Sequence, residues 1–187
     1  MQPPDEITDN TIVLRRYQFS DVPMLVEAVR ESGDELRPWI SWYHENFSEQ
    51  DARSWIETLP EAWAKGTSYD YAIIDSADGR YLGGCGINDI SWTSRFANIG
   101  YWVRTTRTQQ GIASRAALLL GRLAIEQLGL VRVEIVVAVG NEASQRVAQR
   151  VGAVREGILR NRIVVGDKIY DAVMYSLIPE DLSIEDK

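Results

Sequence analysis

The residues with the clearest chemical potential lie between Arg104 and Ser114. Arg104–Gln110 carries no apolar side chain, and the chain then passes into Gly111, Ile112, Ala113 and Ser114. Ile99–Val103, just before, is β-branched and aromatic, as a buried strand would be. Just after, Ala116–Leu130 carries Leu119, Leu120, Leu123 and Leu128 ahead of Gly129, the pattern of a helix with a glycine stop. A strand, a polar turn and a helix opening on small residues would aim the N–H groups of Gln109, Gln110, Gly111, Ile112, Ala113 and Ser114 at one point. The positive end of the helix dipole reaches the same point, so the expected ligand is a phosphate or pyrophosphate. It is not held by a nucleoside-triphosphate loop, which needs Gly-x-x-x-x-Gly-Lys-Ser/Thr, nor by the three spaced glycines of a dinucleotide loop; neither motif is present.

The elements that must position this loop can be read in chain order. Thr11–Arg15 is a short strand, and Ser20-Asp21 opens a helix that turns Met24, Leu25, Ala28 and Val29 inward. Leu36–Tyr43 is aromatic enough to plug a core or line a cleft. Ser48 and Asp51 have capping-box spacing, with Ala52, Trp55, Ile56, Leu59 and Trp63 on the helix face that follows. Pro60 is expected to kink or split that helix before Gly66 ends it. Tyr69–Asp75 and Tyr81–Asp89 form a hairpin turned at Asp78-Gly79, with Ala97–Val103 as the next antiparallel neighbour. After a helix over Gly111–Gln127, Val131–Val137 is a central strand and Asn141 caps helix Glu142–Arg150, which ends at Gly152. Val154–Ile158 and Tyr170–Ile178 are the last strands, turned at Gly166-Asp167. The acidic tail, residues 180–187, is expected to fray. This order predicts an α/β (α+β) fold: a mixed, mostly antiparallel sheet of about seven strands flanked by helices, in one domain with a core over residues 11–179.

The strand Ile99-Gly100-Tyr101-Trp102-Val103, the loop ending Gln110-Gly111-Ile112-Ala113, the helix start Asn141-Glu142-Ala143-Ser144 and the later Gly152 together resemble the acetyl-CoA site of the GNAT N-acetyltransferases. Within that superfamily the chain looks most like the RimJ/RimL type, which acetylate the N-terminal amine of ribosomal proteins. The resemblance spans Thr11 to Pro179. It implies a central pair of strands that splay apart to admit acetyl-CoA, with no metal. By the same resemblance the Val103 N–H polarises the thioester, Asn141 reaches the pantetheine, and Ser144 serves the departing thiolate. Arg146 or Arg150, one turn apart, would meet the adenosine phosphate. The aromatic connection borders the acceptor site in the family, which makes Trp39, Trp42 and Tyr43 substrate-binding candidates. Two positions depart from the family pattern. Thr108 stands where the motif has Arg or Gln, and Asn98 where many relatives carry a Glu that could act as base. Asp89 and Glu156 are then the carboxylates to consider as bases.

Composition narrows the function classes. The 187 residues, 45% hydrophobic and 25% charged, suit a single globular domain, and no stretch is apolar enough to span a bilayer. The start of the chain lacks the features of a signal peptide, so a cytoplasmic protein is expected. A net charge of −7 argues against general nucleic-acid affinity and is compatible with a cationic partner. One Cys and one His exclude a disulfide framework and a Cys/His zinc site; Cys85 reads as a small buried residue and His44 as a surface one. With no Cys or Ser partnered by His, the acceptor amine is expected to attack acetyl-CoA directly. An α-amine of pKa about 7.8 is roughly one-seventh neutral at pH 7, and a lysine amine only about once in 2,500. Without a Glu at position 98, the chain therefore suits a protein N-terminus better than lysine. The alternatives are a small-molecule amine acceptor (polyamine, aminoglycoside or amino acid) and a non-catalytic CoA-binding regulatory protein. Exposed strand edges and the Trp39–Tyr43 cluster are compatible with a homodimer.

Overall fold

The structure is a computed structural model and describes residues 2–182. Its strands are β1 (Glu6–Thr8), β2 (Ile12–Arg16), β3 (Tyr69–Asp75), β4 (Tyr81–Ser91), β5 (Phe96–Val103), β6 (Arg132–Ala138), β7 (Val154–Val165) and β8 (Lys168–Leu177). The helices are α1 (Val22–Glu31), α2 (Gly33–Leu36), α3 (Glu49–Lys65), α4 (Ile112–Arg122), α5 (Glu142–Arg150) and α6 (Pro179–Leu182). Among the described residues one sheet of eight strands forms, in the order β1-β2-β3-β4-β5-β6-β8-β7. All its neighbours are antiparallel except β5 and β6, which pair only over Phe96–Asn98 with Arg132–Glu134 before parting.

Two apolar clusters hold the layers together. On one face α1 and the start of α3 pack Leu25, Val29, Ala52 and Ile56 against Ala72, Ile74 and Tyr81. On the other, α4 buries Ile112, Ala116 and Leu120 against Tyr71, Ile87, Ile99 and Ile135. The parting of β5 and β6 therefore lies in the middle of the sheet, and the backbone groups it leaves unpaired must find other partners.

Several boundaries differ from those read in the sequence. The sheet has one strand more than expected, because Glu6-Ile7-Thr8 pairs with the edge of β2; three residues between polar neighbours carry no periodic signal. The strand expected to stop at Ile158 continues to Val165 as half of a long hairpin with β8. Pro60 does not split α3, whose buried Ile56, Leu59 and Trp63 straddle it. Their packing outweighs the roughly 3 kcal/mol that an interior proline costs. The helix expected over Gly111–Gln127 is α-helical to Arg122 and then widens into a π turn, Leu123–Gln127. Of the tail expected to fray, Pro179–Leu182 forms a short helix, and residues 183–187 lie outside the described residues.

Gly83 shows how closely β4 and β5 approach. It adopts φ 153°, and a Cβ there would lie 2.1 Å from the Trp102 carbonyl oxygen. Backbone cannot swing away as a side chain can, so Gly83→Ala should destabilise the fold by about 1–3 kcal/mol, read as a lowered urea midpoint with an unchanged m-value.

Candidate active site

The phosphate-type loop is built as a fixed object. After β5, a turn of 3-10 helix (Thr105–Arg107) leads to Gln109 at φ 61° and Gly111 at φ 78°, both left-handed. Gly111 is the N-cap of α4 and no side chain caps that end, which leaves the first-turn N–H groups of Ile112, Ala113 and Ser114 available to a ligand. Thr108 donates its Oγ1–H to the Thr105 carbonyl at 2.9 Å, so it closes the turn. The loop is tied to α1 and the segment after it. The Thr106 N–H and Oγ1–H donate to Glu31 Oε1 at 3.0 and 2.8 Å, and the Thr105 N–H donates to Ser32 Oγ at 3.0 Å. Arg104 pairs with Glu31 and reaches Glu27 at 2.7 Å. The Arg104 guanidinium holds the Glu31 carboxyl down to about 2, with the Thr106 hydrogen bonds adding to the effect against the opposing cost of burial.

Beside the loop, the parting of β5 and β6 opens a notch. The Arg104 N–H donates to the Leu82 carbonyl at 2.8 Å. Successive amides of an antiparallel strand point to opposite edges, so the Val103 N–H faces away from β4 and into the notch. Across it stands α5, where Asn141 Oδ1 accepts the Ser144 N–H at 3.1 Å as a helix cap. The Tyr101 hydroxyl lies 3.1 Å from Ser144 Oγ and donates to the Ser144 carbonyl at 3.2 Å. Burial pushes the Tyr101 phenol up to about 12, so it stands protonated as a donor beside Ser144. Asn98 bridges the beginning of the notch: its Oδ1 accepts the Val136 N–H at 3.3 Å, and its Nδ2 donates to Asn88 Oδ1 at 2.9 Å.

The other face of β4 and β5 carries a cavity of about 540 Å³, within the range of ligand pockets. Its floor includes Gly84, Gly86 and Gly100, whose missing side chains leave room over the sheet, and its walls include Tyr17, Trp42, Trp55 and Trp102. Trp42 and Trp102 meet edge to face at 6.0 Å, as do Tyr17 and Trp55 at 4.8 Å. His44 and Asp51 stand at the rim, 3.7 Å apart, and Asp70 lies within the cavity.

The residues singled out in the sequence are only partly brought together. Val103, the Gln109–Ser114 loop, Asn141 and Ser144 surround the notch, and Trp42 lines the cavity. Arg146 is exposed on α5, 3.4 Å from Glu142. Trp39 packs on Tyr170 at 5.8 Å and toward Gly140, and the Tyr43 hydroxyl turns to Gly33; neither lines the cavity. The two carboxylates considered as bases are elsewhere. Asp89 is exposed at φ 50° in the bulge of β4. Glu156 is held by both terminal nitrogens of Arg132 at 2.7 and 2.6 Å and by Ser176 Oγ at 2.7 Å, at the closed end of the β5–β6 pair. Arg132 and Ser176 keep Glu156 ionised, down to about 2, which suits a structural ion pair and not a proton acceptor. The sequence does not single out Tyr101 and Asp70. Tyr101 sits inside a strand motif that gives it no separate signal, while an Asp amid Tyr69, Tyr71, Ala72 and Ile73 is itself an anomaly for a strand.

A parted strand pair with an uncapped helix beside it matches the comparisons. The acetyltransferase (GNAT) domain profile matches residues 11–154, and the chain belongs to that family of N-acetyltransferases. Within it, the chain is similar to proteins of the ribosomal-protein type. The Bacillus subtilis protein YdaF, whose name provisionally makes it a ribosomal N-acetyltransferase, is 31% identical over 176 residues, 91% of this chain and 92% of the relative. The solved structure of RimL, the ribosomal L7/L12 alpha-N-protein acetyltransferase in complex with coenzyme A, superposes with TM-score 0.85 at 25% identity, over 92% of this chain and 97% of that one. A Salmonella typhimurium acetyltransferase described as modifying the N-terminal serine of L7/L12 superposes with TM-score 0.81 at 26% identity, over 90% and 95%. Among the described residues, no helix is long and apolar enough to cross a membrane.

The Glu31 anchor gives a signed pH prediction. Its folded pKa lies below the ordinary 4.5, so its stabilisation is complete above about pH 4.5 and is lost as pH falls toward about 2. Glu31→Gln should cost about 1.5–3 kcal/mol at pH 7. The gap between wild type and variant should narrow in urea titrations repeated below pH 4.5, and acetyl-CoA should bind the variant more weakly because the loop loses its tether.

Proposed function

We propose that this N-acetyltransferase moves the acetyl group of acetyl-CoA to the N-terminal α-amine of a protein. The observation that carries the reading is the meeting of two spaces at β5: the notch on its outer edge and the aromatic cavity over Gly84, Gly86 and Gly100. Such a cavity admits the first residues of an extended peptide, with the amine leading. The acceptors named for the two similar acetyltransferases, both N-termini of L7/L12, support the same choice.

In this reading the N–H groups of Gln109–Ser114 take the pyrophosphate, Asn141 orients the pantetheine, and Arg146, exposed on α5, meets the adenosine phosphate. The acceptor amine attacks the thioester carbonyl directly, and the Val103 N–H takes the charge that develops on its oxygen, a contact of a few kcal/mol when aligned. Ser144 Oγ gives its proton to the departing sulfur and is resupplied by the Tyr101 hydroxyl 3.1 Å away.

The reading is tested by CoA release from acetyl-CoA with peptides bearing free N-termini of basic ribosomal-type sequence, against a panel of polyamines, aminoglycosides and amino acids. Turnover of peptides, abolished when their N-termini are blocked, is expected; turnover confined to small amines would replace it with that acceptor class. Ser144→Ala should lower kcat by about 10²-fold or more while the KM for acetyl-CoA holds. An unchanged kcat would remove Ser144 from the mechanism, and no turnover of any amine would favour a CoA-binding regulator.

A further inference from the structure

Asp70 places a carboxylate on a sheet face, in a strand otherwise made of Tyr, Ala and Ile up to Asp75. It pairs with Gly86 across β4, and Gly86 pairs with Gly100 across β5, so the three positions form one row over the cavity floor. Residues directly opposite on neighbouring strands share a face, which turns the Asp70 side chain toward the cavity. Its Oδ2 accepts from Ser68 Oγ at 2.8 Å. Its Oδ1 has no hydrogen-bond partner among the described residues and leans over β4; a Cβ on Gly86 would lie 2.7 Å from it. In this row only Gly100 stands between Gly86 and the outer edge of β5, where the notch opens.

We propose that Asp70 is the catalytic base, taking the proton from the acceptor's ammonium group as it enters over Gly86 and Gly100. The charged and titratable groups around the cavity leave this role to Asp70. From the end of β2, the Tyr17 hydroxyl is engaged with Tyr81 at 2.8 Å. From β4, the Cys85 thiol is buried and pushed up. Across the cavity, Asp51 stands at the rim on α3, where its Oδ2 accepts from the Ser48 N–H at 2.9 Å and the Ser48 hydroxyl at 2.5 Å and lies 3.7 Å from His44. The Ser48 bonds hold its carboxyl below the ordinary carboxylate value, the wrong direction for a base. No arginine or lysine lines the cavity among the described residues. Burial raises the Asp70 carboxyl above the ordinary carboxylate value, which brings it closer to the α-amine it must deprotonate.

The step balances simply. The ammonium gives one proton to Asp70 Oδ1, and the freed lone pair forms the bond from nitrogen to the acetyl carbon. The bond from that carbon to sulfur breaks, and the departing sulfur leaves as thiol with the proton Ser144 supplies. The second nitrogen proton returns to the Ser144–Tyr101 pair, and Asp70 releases its own to solvent.

The inference rests on amine acetylation but not on which amine is used, so it is tested with whichever acceptor the wild type turns over. With Asp70 as base, wild-type kcat/KM should stay level between the Asp70 pKa and the amine pKa, because the carboxylate and the ammonium are both in their reactive forms there. A decline of tenfold per pH unit as the pH falls below the amine pKa, with no plateau, would overturn the proposal without any variant. Asp70→Asn should lose about 10²–10⁴-fold in kcat/KM and acquire that tenfold decline, with acetyl-CoA affinity unchanged. Its thermal midpoint should match or exceed that of wild type, since a buried charge is removed; a structural role would instead lower it. Activity of Asp70→Asn within threefold of wild type would refute the role even if peptides are confirmed as acceptors. Turnover of small amines only would overturn the peptide reading and leave this test intact.

Discussion

The parting of β5 from β6 is the constraint on which the rest of the molecule depends. Three residue pairs, Phe96–Asn98 with Arg132–Glu134, join the strands. Beyond them each strand presents backbone groups to a gap within the sheet, and those groups need partners other than a neighbouring strand. The structure meets that demand in two ways. Asn98 inserts its side chain where the ladder stops, accepting from the Val136 N–H and bonding back to Asn88 on β4. On the far side, β6 pairs with β8 from Val133 to Ala138, so its other edge is fully engaged and the gap cannot close by sliding the strand. Strand alternation also turns the Val103 N–H into that gap.

The loop after β5 inherits its rigidity from elsewhere. Its backbone adopts left-handed angles at Gln109 and Gly111, and such a bend holds only if its ends are fixed. One end is the last residue of β5; the other is α4, whose Ile112, Ala116 and Leu120 are buried. Between them Glu31 and Ser32 reach from α1 and its end to grip the Thr105 and Thr106 amides. The helix layer on one face thus sets the position of a loop that serves the notch, and α1 is a part of the binding machinery through its C-terminal turn.

Much of this was legible in the sequence, for physical reasons. The strand–loop–helix around Gly111 announces itself because each part has its own composition: β-branched and aromatic, then polar, then aliphatic at helical spacing. The hairpins were readable from Asp78-Gly79 and Gly166-Asp167, and the caps from Ser48 and Asn141. Edge strand β1 and the far half of β7 were not, since exposed strands lack the alternation that burial imposes. The carboxylates were misplaced because spacing along the chain says nothing about partners across the sheet. Glu156 meets Arg132 from a neighbouring element, and Asp89 lies in a bulge that leaves it exposed. Asp70 could be recognised only when β3, β4 and β5 were laid side by side, with two glycines opening the space in front of it.

The two departures from the family pattern acquire a meaning from the same geometry. Asn98, where many relatives carry a Glu, cannot take a proton, yet it does a task a carboxylate could not do in the same form: one amide group accepts from β6 and donates to β4 at once. Thr108, in place of an Arg or Gln of the motif, spends its hydroxyl on the Thr105 carbonyl and tightens the turn that presents the α4 amides. Neither is a scar of lost activity; each replaces a contact with a ligand by a contact that holds the ligand's site in shape. If the cost of such a replacement is one missing base, the molecule must carry that base elsewhere, and on a sheet whose floor is glycine at Gly86 and Gly100 the carboxylate that faces the cavity from within the sheet is that of Asp70.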